Sequence, residues 1–205
     1  MKMKAGTRIA VLILMLIVVA CVAGMRMMLS YGFSARDQPT AAEAVLARRM
    51  RHLAVPRSAR EMKNPTALTP EVLKEARGHF ADHCALCHGN DGKGETQIGR
   101  NLYPKAPDMS LPATQSLSDG EIFYIIKNGV RLTGMPAWGE NTHADDESSW
   151  KLVHFIRHLP RISSQETEEM KEMNPKTPEE WKEDEETRKF LEGEEAAPTP
   201  PKHKH

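Results

Sequence analysis

Residues 84–88, Cys-Ala-Leu-Cys-His, constrain this chain more than any other stretch. Two thiols three positions apart, followed at once by an imidazole, form the attachment signature of a haem that is held by two thioether bonds. Cys84 and Cys87 would carry the porphyrin, and His88 would bind the iron as the proximal ligand. A chain that binds its cofactor covalently has to fold around it, so these five residues predict a haem-centred domain.

Two other uses of paired cysteines are weaker interpretations. A thioredoxin-like redox pair normally follows a strand in a βαβ pattern, and no such pattern precedes Cys84. A zinc site needs a second pair of ligands at matching spacing. The remaining cysteine, Cys21, lies instead in an apolar N-terminal run.

A second motif, Gly-Met-Pro at residues 134–136, offers the other axial ligand of the iron. Glycine permits an unusual turn and proline fixes φ, so Met135 between them would be held rigidly. Met109 is the competing candidate, because it also lies near a proline and methionine is more often core filler than ligand. We favour Met135, because the segment between it and His88 can hold a loop and one whole helix. That length can carry the chain from one haem face to the other.

With these motifs in place, residues from about 69 to 161 resemble a class I monohaem cytochrome c. Phe80 matches the aromatic residue of the family's N-terminal helix, and Trp150 matches its C-terminal helix. The loop that contains Pro107 resembles the one whose backbone carbonyl accepts the Nδ1 proton of the proximal imidazole. Ala76 is a departure, since many relatives have glycine where the two terminal helices cross.

The resemblance implies an all-α protein with the class I cytochrome c fold, its helices wrapped around one covalently attached haem c. It implies that Cys84, Cys87, His88 and Met135 bind this cofactor and that His88 and Met135 are the metal ligands. It implies no catalytic residue, and the chain is expected not to be an enzyme.

The N-terminus predicts a location. Lys2, Lys4 and Arg8 precede an apolar run from Ile9 to Met25, which is either a signal peptide or a single membrane anchor. The basic flank puts the N-terminus in the cytoplasm, so the haem domain is expected to face the periplasm from a bacterial cytoplasmic membrane. Cys21 keeps a third possibility open, because the residues before it resemble a lipoprotein cleavage box. We favour a retained anchor, since the apolar run continues past this cysteine.

The remaining patterns divide the chain into four predicted parts. Residues 1–29 are the anchor or signal segment, and residues 69–162 are the cytochrome c domain. Residues 30–68 form a basic linker, whose helix at 41–54 is expected either to lie on anionic headgroups or to be an ordinary solvated helix. Residues 163–205 form an acidic, proline-rich tail.

Local signals within the domain predict two helix starts and four surface side chains. Thr69 followed by Pro70 caps one helix, and Ser118-x-x-Glu121 forms a capping box for another. The histidines near helix surfaces are expected to be solvated rather than to bind a second metal. They are His79, His83, His154 and His158.

These observations favour one function and leave two others open. The leading hypothesis is a membrane-tethered periplasmic cytochrome that passes single electrons between redox partner proteins. The first alternative is a cytochrome subunit of a larger respiratory oxidase or dehydrogenase complex, and a less favoured one is a haem sensor or enzyme with an open sixth site. The 28 basic and 28 acidic residues balance, which argues against a nucleic-acid partner.

Overall fold

The computed structural model describes residues 5–32, 34–140, 142–176 and 178–192, and all regular structure in these ranges is helical. The predicted all-α architecture is therefore confirmed. Lys2, Lys4 and the end of the predicted tail, residues 193–205, lie outside the described residues. The helices, in chain order, are α1 Ala5–Tyr31, α2 Ala41–Ala54, α3 Arg57–Arg60, α4 Pro70–His79, a π-helical turn Phe80–Cys84, α5 Ala85–His88, α6 Gln97–Arg100, α7 Pro112–Gln115, α8 Asp119–Asn128, α9 His143–His158, a 3₁₀ turn Leu159–Arg161, α10 Ser164–Glu169, a 3₁₀ turn Met170–Met173 and α11 Pro178–Glu192.

One helix in the described ranges is long and apolar enough to cross a membrane. It contains the stretch Gly6–Ser30, in which an 18-residue window has a mean hydropathy of 2.7 and is not buried against the rest of the chain. At 1.5 Å per residue the stretch is about 37 Å long, more than the hydrocarbon core of a typical bilayer. A signal sequence near the N-terminus has the same length and composition as such a helix.

The two predicted helix starts are confirmed. Thr69 caps α4 by accepting a hydrogen bond from the amide of Val72, with Pro70 at the first helical position. Ser118 and Glu121 form the complete capping box of α8. That helix ends at Gly129, whose φ of +65° is a conformation that glycine adopts without strain.

The core lies where α4 crosses α9 and where α8 packs against α9. Ala76 is buried at the first crossing, so the small residue that replaces the family's glycine still fits between the helices. Beside it, the rings of Phe80 and Phe155 have centroids 4.9 Å apart. Phe123 and Trp150 stack with centroids 4.1 Å apart, which joins α8 to α9.

The segment from Ser163 to Asn174 packs against α4 and the π-helical turn. A capping box starts α10 at Ser163, and the side chain of Met170 is fully buried in the core. The guanidinium of Arg77 lies 2.9 Å from the Glu169 carboxylate. The amide nitrogen of the Asn174 side chain donates to the carbonyl of Ala81 at 2.8 Å.

The segment before α4 also lies on the domain. Val55 and Ala59 are buried, and the hydroxyl of Ser118 donates to the carbonyl of Arg60 at 2.8 Å. Gly120 makes this close approach possible, because a Cβ at that position would lie 1.9 Å from the Ala59 carbonyl oxygen. The start of α8 is therefore covered by backbone from the preceding segment.

Solvent exposure is the wrong expectation for three of the four histidines, because His79, His154 and His158 are partly buried and only His83 is exposed. Nε2 of His154 lies 2.8 Å from the carbonyl oxygen of Thr66, and Nε2 of His158 lies 2.8 Å from the Glu166 carboxylate. Both imidazoles are partly buried because the segments on either side of the domain fold back over α9. They join these segments to the helix.

We expect Met170→Ala to lower the free energy of unfolding by about 2–5 kcal/mol, because it removes a buried side chain and leaves a cavity. Denaturant unfolding of the haem-loaded chain would measure the change. Met62→Ala is the matched control, since the Met62 side chain is 42% exposed and its loss should cost about 0.5 kcal/mol or less. Equal effects of the two substitutions would contradict the packing of residues 163–174 on the domain.

Candidate haem site

The haem-binding motif begins in a widened helical turn. After α4 the chain forms the π-helical turn Phe80–Cys84, in which the amide of Ala85 donates to the carbonyl of Phe80. Such i→i+5 turns are rare and occur often at functional sites. The short helix α5 follows directly and ends at Gly89, with a φ of +72°. Cys84, Cys87 and His88 therefore lie within two successive helical turns.

The two thiols of the motif are free and close together. Burial raises the pKa of Cys84 to about 12, and the neighbouring Cys87 adds to the shift. Burial also raises the pKa of Cys87. A redox-active Cys-x-x-Cys pair has the opposite property, because its nucleophile is a thiolate with a lowered pKa. The raised pKa values of both thiols therefore argue against a redox-active pair.

The imidazole of His88 is poised as a neutral ligand. Burial lowers its pKa, and the backbone of Pro107 opposes that shift. Proline has no N–H group, so this backbone interaction is with its carbonyl oxygen. Nδ1 of His88 is buried but completes no hydrogen bond with a described residue. A proton on Nδ1, directed at Pro107, leaves the lone pair of Nε2 for a metal.

Two glycines bring the Pro107 loop onto the motif. A Cβ on Gly99 would lie 2.2 Å from the carbonyl oxygen of Cys87, and one on Gly94 would lie 2.3 Å from that of Ala106. The hydroxyl of Thr96 also donates to the Cys87 carbonyl at 3.1 Å. Larger side chains at the two glycines would push the loop away from α5.

Met135 lies in a loop that its own hydrogen bonds hold in shape. The amide of Met135 donates to the hydroxyl of Thr133, and its carbonyl accepts from the amide of Val130, both at 3.1 Å. Gly134, the residue before Met135, lies against Leu102 of the Pro107 loop. A Cβ at position 134 would be 2.6 Å from a methyl group of the Leu102 side chain. Met135 is half-buried in this turn. Its binding to the iron stays a prediction.

Met109, the competing candidate, belongs to the hydrophobic core. Its side chain is 7% exposed and packs within the cluster that includes Phe80 and Leu159. Its backbone is fixed at both ends, with the amide donating to Gly92 and the carbonyl accepting from the side chain of Gln115. These contacts account for Met109 as a packing residue and support the choice of Met135.

A cavity of ≈ 290 Å³ lies beside the cysteine motif. Of the four predicted haem-binding residues, Cys84 lines it, whereas Cys87, His88 and Met135 do not. Cys84 lies on one wall, and Trp138, three residues after Met135, lies on another. Ile126 of α8 and Leu152 of α9 provide apolar walls. The full lining is His79, His83, Cys84, Ile126, Trp138, Glu140, Ser148, Ser149 and Leu152.

Sequence reasoning missed the aromatic rim of this cavity. The ring centroids of His79 and His83 are 4.9 Å apart, and that of His83 is 5.7 Å from Trp138. The i, i+4 spacing of the two histidines indicates that they share a helix face. The contact of His83 with Trp138 joins segments 55 residues apart, so no pattern within a short stretch of sequence predicts it. Burial lowers the pKa of His79, and His83 is the next largest cause.

Sequence similarity to known proteins indicates what kind of domain this is. Residues 71–156 match the family described as cytochrome c oxidase, cbb3-type, subunit III. Residues 71–156 form a c-type cytochrome domain. A curated relative, the Cbb3-type cytochrome c oxidase subunit FixP of Rhizobium meliloti (strain 1021), is 31% identical over 91 residues. That stretch is 44% of this chain and 28% of the relative, so the chain spans under a third of the relative's length.

The residues of the site fit a covalently bound haem c. The described residues contain no group of three or more His, Cys, Asp or Glu side chains that could hold a metal ion. Free, protonated thiols and a buried imidazole are the donor set that thioether attachment and axial ligation require.

Replacing both Cys84 and Cys87 by serine should abolish covalent haem attachment, because a hydroxyl forms no thioether. Haem staining after denaturing electrophoresis would measure the loss, and each single replacement should weaken the signal. Cys21→Ser is the matched control and should stain like the unchanged chain. Undiminished staining of the double variant would show that the cysteine motif does not attach the haem.

Proposed function

We propose that this chain is the cytochrome subunit of a membrane-bound respiratory oxidase complex, in which it delivers electrons singly through one haem c. The match of residues 71–156 to a cbb3-type oxidase subunit supports the proposal. The relative's printed name gives the same assignment for that protein. Since the matched stretch is 28% of the relative, membership of a whole complex is proposed and not shown by this similarity.

This conclusion reverses the order of the two hypotheses drawn from the sequence. The sequence alone favours a membrane-tethered carrier, with a subunit of a respiratory oxidase or dehydrogenase complex as the alternative. The comparisons favour the alternative, because both the family and the relative are described as oxidase subunits. The chemistry proposed for the chain is the same in both cases. It relays electrons and makes or breaks no bond of a substrate.

The proposed roles of the site residues follow from their surroundings. Cys84 and Cys87 hold the cofactor by thioether bonds, and His88 offers Nε2 to the iron. Pro107 orients the imidazole through its carbonyl oxygen. Met135, in its braced turn, supplies the second axial ligand. The bound haem supplies an iron that alternates between the ferrous and ferric states.

The chain's own side chains favour the reduced state of such a centre. Ile126 and Leu152 add apolar surface to a lining that also contains Glu140, Ser148 and Ser149. Apolar surface near the iron would disfavour the more highly charged ferric state. A thioether ligand acts in the same direction because it is a soft donor. Three cysteines in the whole chain allow one Cys-x-x-Cys-His motif, and hence one covalently attached haem.

We further propose that α1 stays in the protein as a membrane anchor and that the haem domain faces the periplasm. The unburied apolar stretch Gly6–Ser30 supports anchoring. An anchor confines the haem domain to the membrane surface and so raises its effective concentration near integral membrane partners. A cleaved signal or a lipid on Cys21 are the other outcomes, and the intact mass of the native chain separates all three.

Purification from native membranes tests the assignment to a complex. A chain tagged at its C-terminus and extracted in a mild detergent should co-purify with the oxygen-reducing subunit of a terminal oxidase. The preparation should consume oxygen when a reductant is supplied. The control is a purification from cells with the untagged chain. A haem-loaded chain that elutes alone after extraction and crosslinking would contradict the complex and leave the tethered carrier.

Substitution of Met135 tests the axial ligand. Met135→Ala should open the iron to carbon monoxide, and Met135→His should keep six ligands while lowering the midpoint potential, because imidazole is a harder donor than a thioether. Optical spectra and a redox titration of the purified chain would measure both effects. Met109→Leu keeps the core volume and should change neither spectrum nor potential. Carbon monoxide binding by the unchanged reduced protein would favour the sensor or enzyme alternative instead.

A further inference from the structure

The helix α2 carries an apolar stripe that faces away from the haem domain. Leu46, Met50 and Leu53 are 63%, 59% and 72% exposed. Their i, i+4, i+7 spacing places them on one face of the helix. None of the side chains of α2 is buried. Exposed apolar residues are unremarkable singly, but a continuous stripe on one helix face marks a contact surface.

The opposite side of α2 is fixed to the domain. Nδ1 of His52 donates to the carboxylate of Glu121 at 2.7 Å, and the guanidinium of Arg60 donates to Nε2 of the same ring at 3.0 Å. Near the start of the helix, on the flank of the stripe and three residues before Leu46, the carboxylate of Glu43 accepts from the hydroxyl of Tyr103. These contacts set the rotation of α2, so the apolar stripe cannot turn inward without breaking them.

The charges of α2 indicate what covers the stripe. The helix has three arginines and one acidic residue, and that residue, Glu43, already accepts from Tyr103. Arg49 lies beside the stripe, three residues after Leu46 and four before Leu53, whereas Arg48 lies on the other side of the helix. Arg48 and Arg49 form no ion pair with a described residue. Together with His52 and Leu53 they line a shallow open groove. Basic side chains beside an apolar stripe match a surface that has anions outside and hydrocarbon beneath.

The connection to α1 keeps α2 near such a surface. Nine residues separate the end of α1 at Tyr31 from the start of α2 at Ala41. A fully extended chain of that length reaches about 35 Å at most. With α1 in a bilayer, α2 begins within that distance of the headgroups on the same side. Each arginine near an anionic surface contributes on the order of 1 kcal/mol to binding.

We propose that α2 lies in the headgroup region of an anionic bilayer, with Leu46, Met50 and Leu53 inserted and Arg49 at the phosphates. Its contacts through His52 and Glu43 then hold the haem domain against the membrane in one orientation. The inference rests on the proposed anchor and goes beyond it. An anchor alone would leave the domain free to turn on its linker.

Spin labels on the full, haem-loaded chain test this contact. With Cys21 replaced by alanine, one label is placed at Leu53→Cys and a control label at Ser58→Cys, an exposed position in α3. The chain is reconstituted into vesicles of phosphatidylcholine alone or mixed with phosphatidylglycerol. Collision with oxygen, which partitions into lipid, is compared with collision with a water-soluble nickel chelate.

The proposal predicts a several-fold shift of the Leu53 label towards oxygen in the anionic vesicles. The Ser58 label should stay accessible to the nickel chelate in both lipids. Replacing Arg49 by glutamine should reduce the shift at Leu53. A Leu53 label that is open to the nickel chelate in both lipids would overturn the proposal, and so would a label shielded from both reagents, which would mean that protein covers the stripe.

A high-salt wash of the same vesicles tests α1 separately, because salt screens ionic attraction but does not release an inserted apolar helix. A chain that is washed off would count against the anchor and the α2 contact together. A retained chain whose Leu53 label stays in water would count against the α2 contact alone.

Discussion

The site depends on the close crossing of α4 and α9. Ala76 is small enough to let the two helices approach, and the ring pair Phe80–Phe155 fills the space directly beside the crossing. Because Phe80 begins the π-helical turn that ends at Cys84, the crossing fixes where the first haem-binding thiol lies. α9 also supplies Leu152 to the cavity wall. One packing contact thus positions both the attachment point and part of the apolar shell.

The parts of this arrangement that local chemistry determines could be predicted from the sequence. Thr69 and Ser118 cap their helices because their hydroxyls accept amide hydrogen bonds a few residues away, and such signals are visible in a short window. The Cys-x-x-Cys-His motif is equally local. The family match then supports a c-type haem domain over these residues. Ligation by Met135 and the proposed domain boundaries remain predictions, since they depend on contacts that form only around the cofactor or between segments.

Other parts could not be predicted because they arise from distant contacts. The π-helical turn at Phe80–Cys84 has no sequence signature, and it is held by core packing around the crossing. The composition of the segment after α9 predicts an acidic tail. Its capping box, Ser163-x-x-Glu166, is the same local signal that identified α8. That signal could have indicated an ordered helix. The partner of Glu166, His158, could not be inferred from it.

Glu121 joins α2 to α8, the helix that carries Ile126 to the cavity. One oxygen of its carboxylate completes the capping box of α8, and the other accepts from His52 of α2. Burial by itself would raise the pKa of Glu121, but hydrogen bonds from the Ser118 backbone and His52 outweigh burial and lower it. The carboxylate therefore stays ionised at neutral pH and keeps both bonds. Since α8 also carries Ile126 into the cavity wall, the helix that faces the membrane in our proposal is linked through one side chain to the haem pocket. A link of this kind would couple the orientation of the cytochrome domain to that of α2.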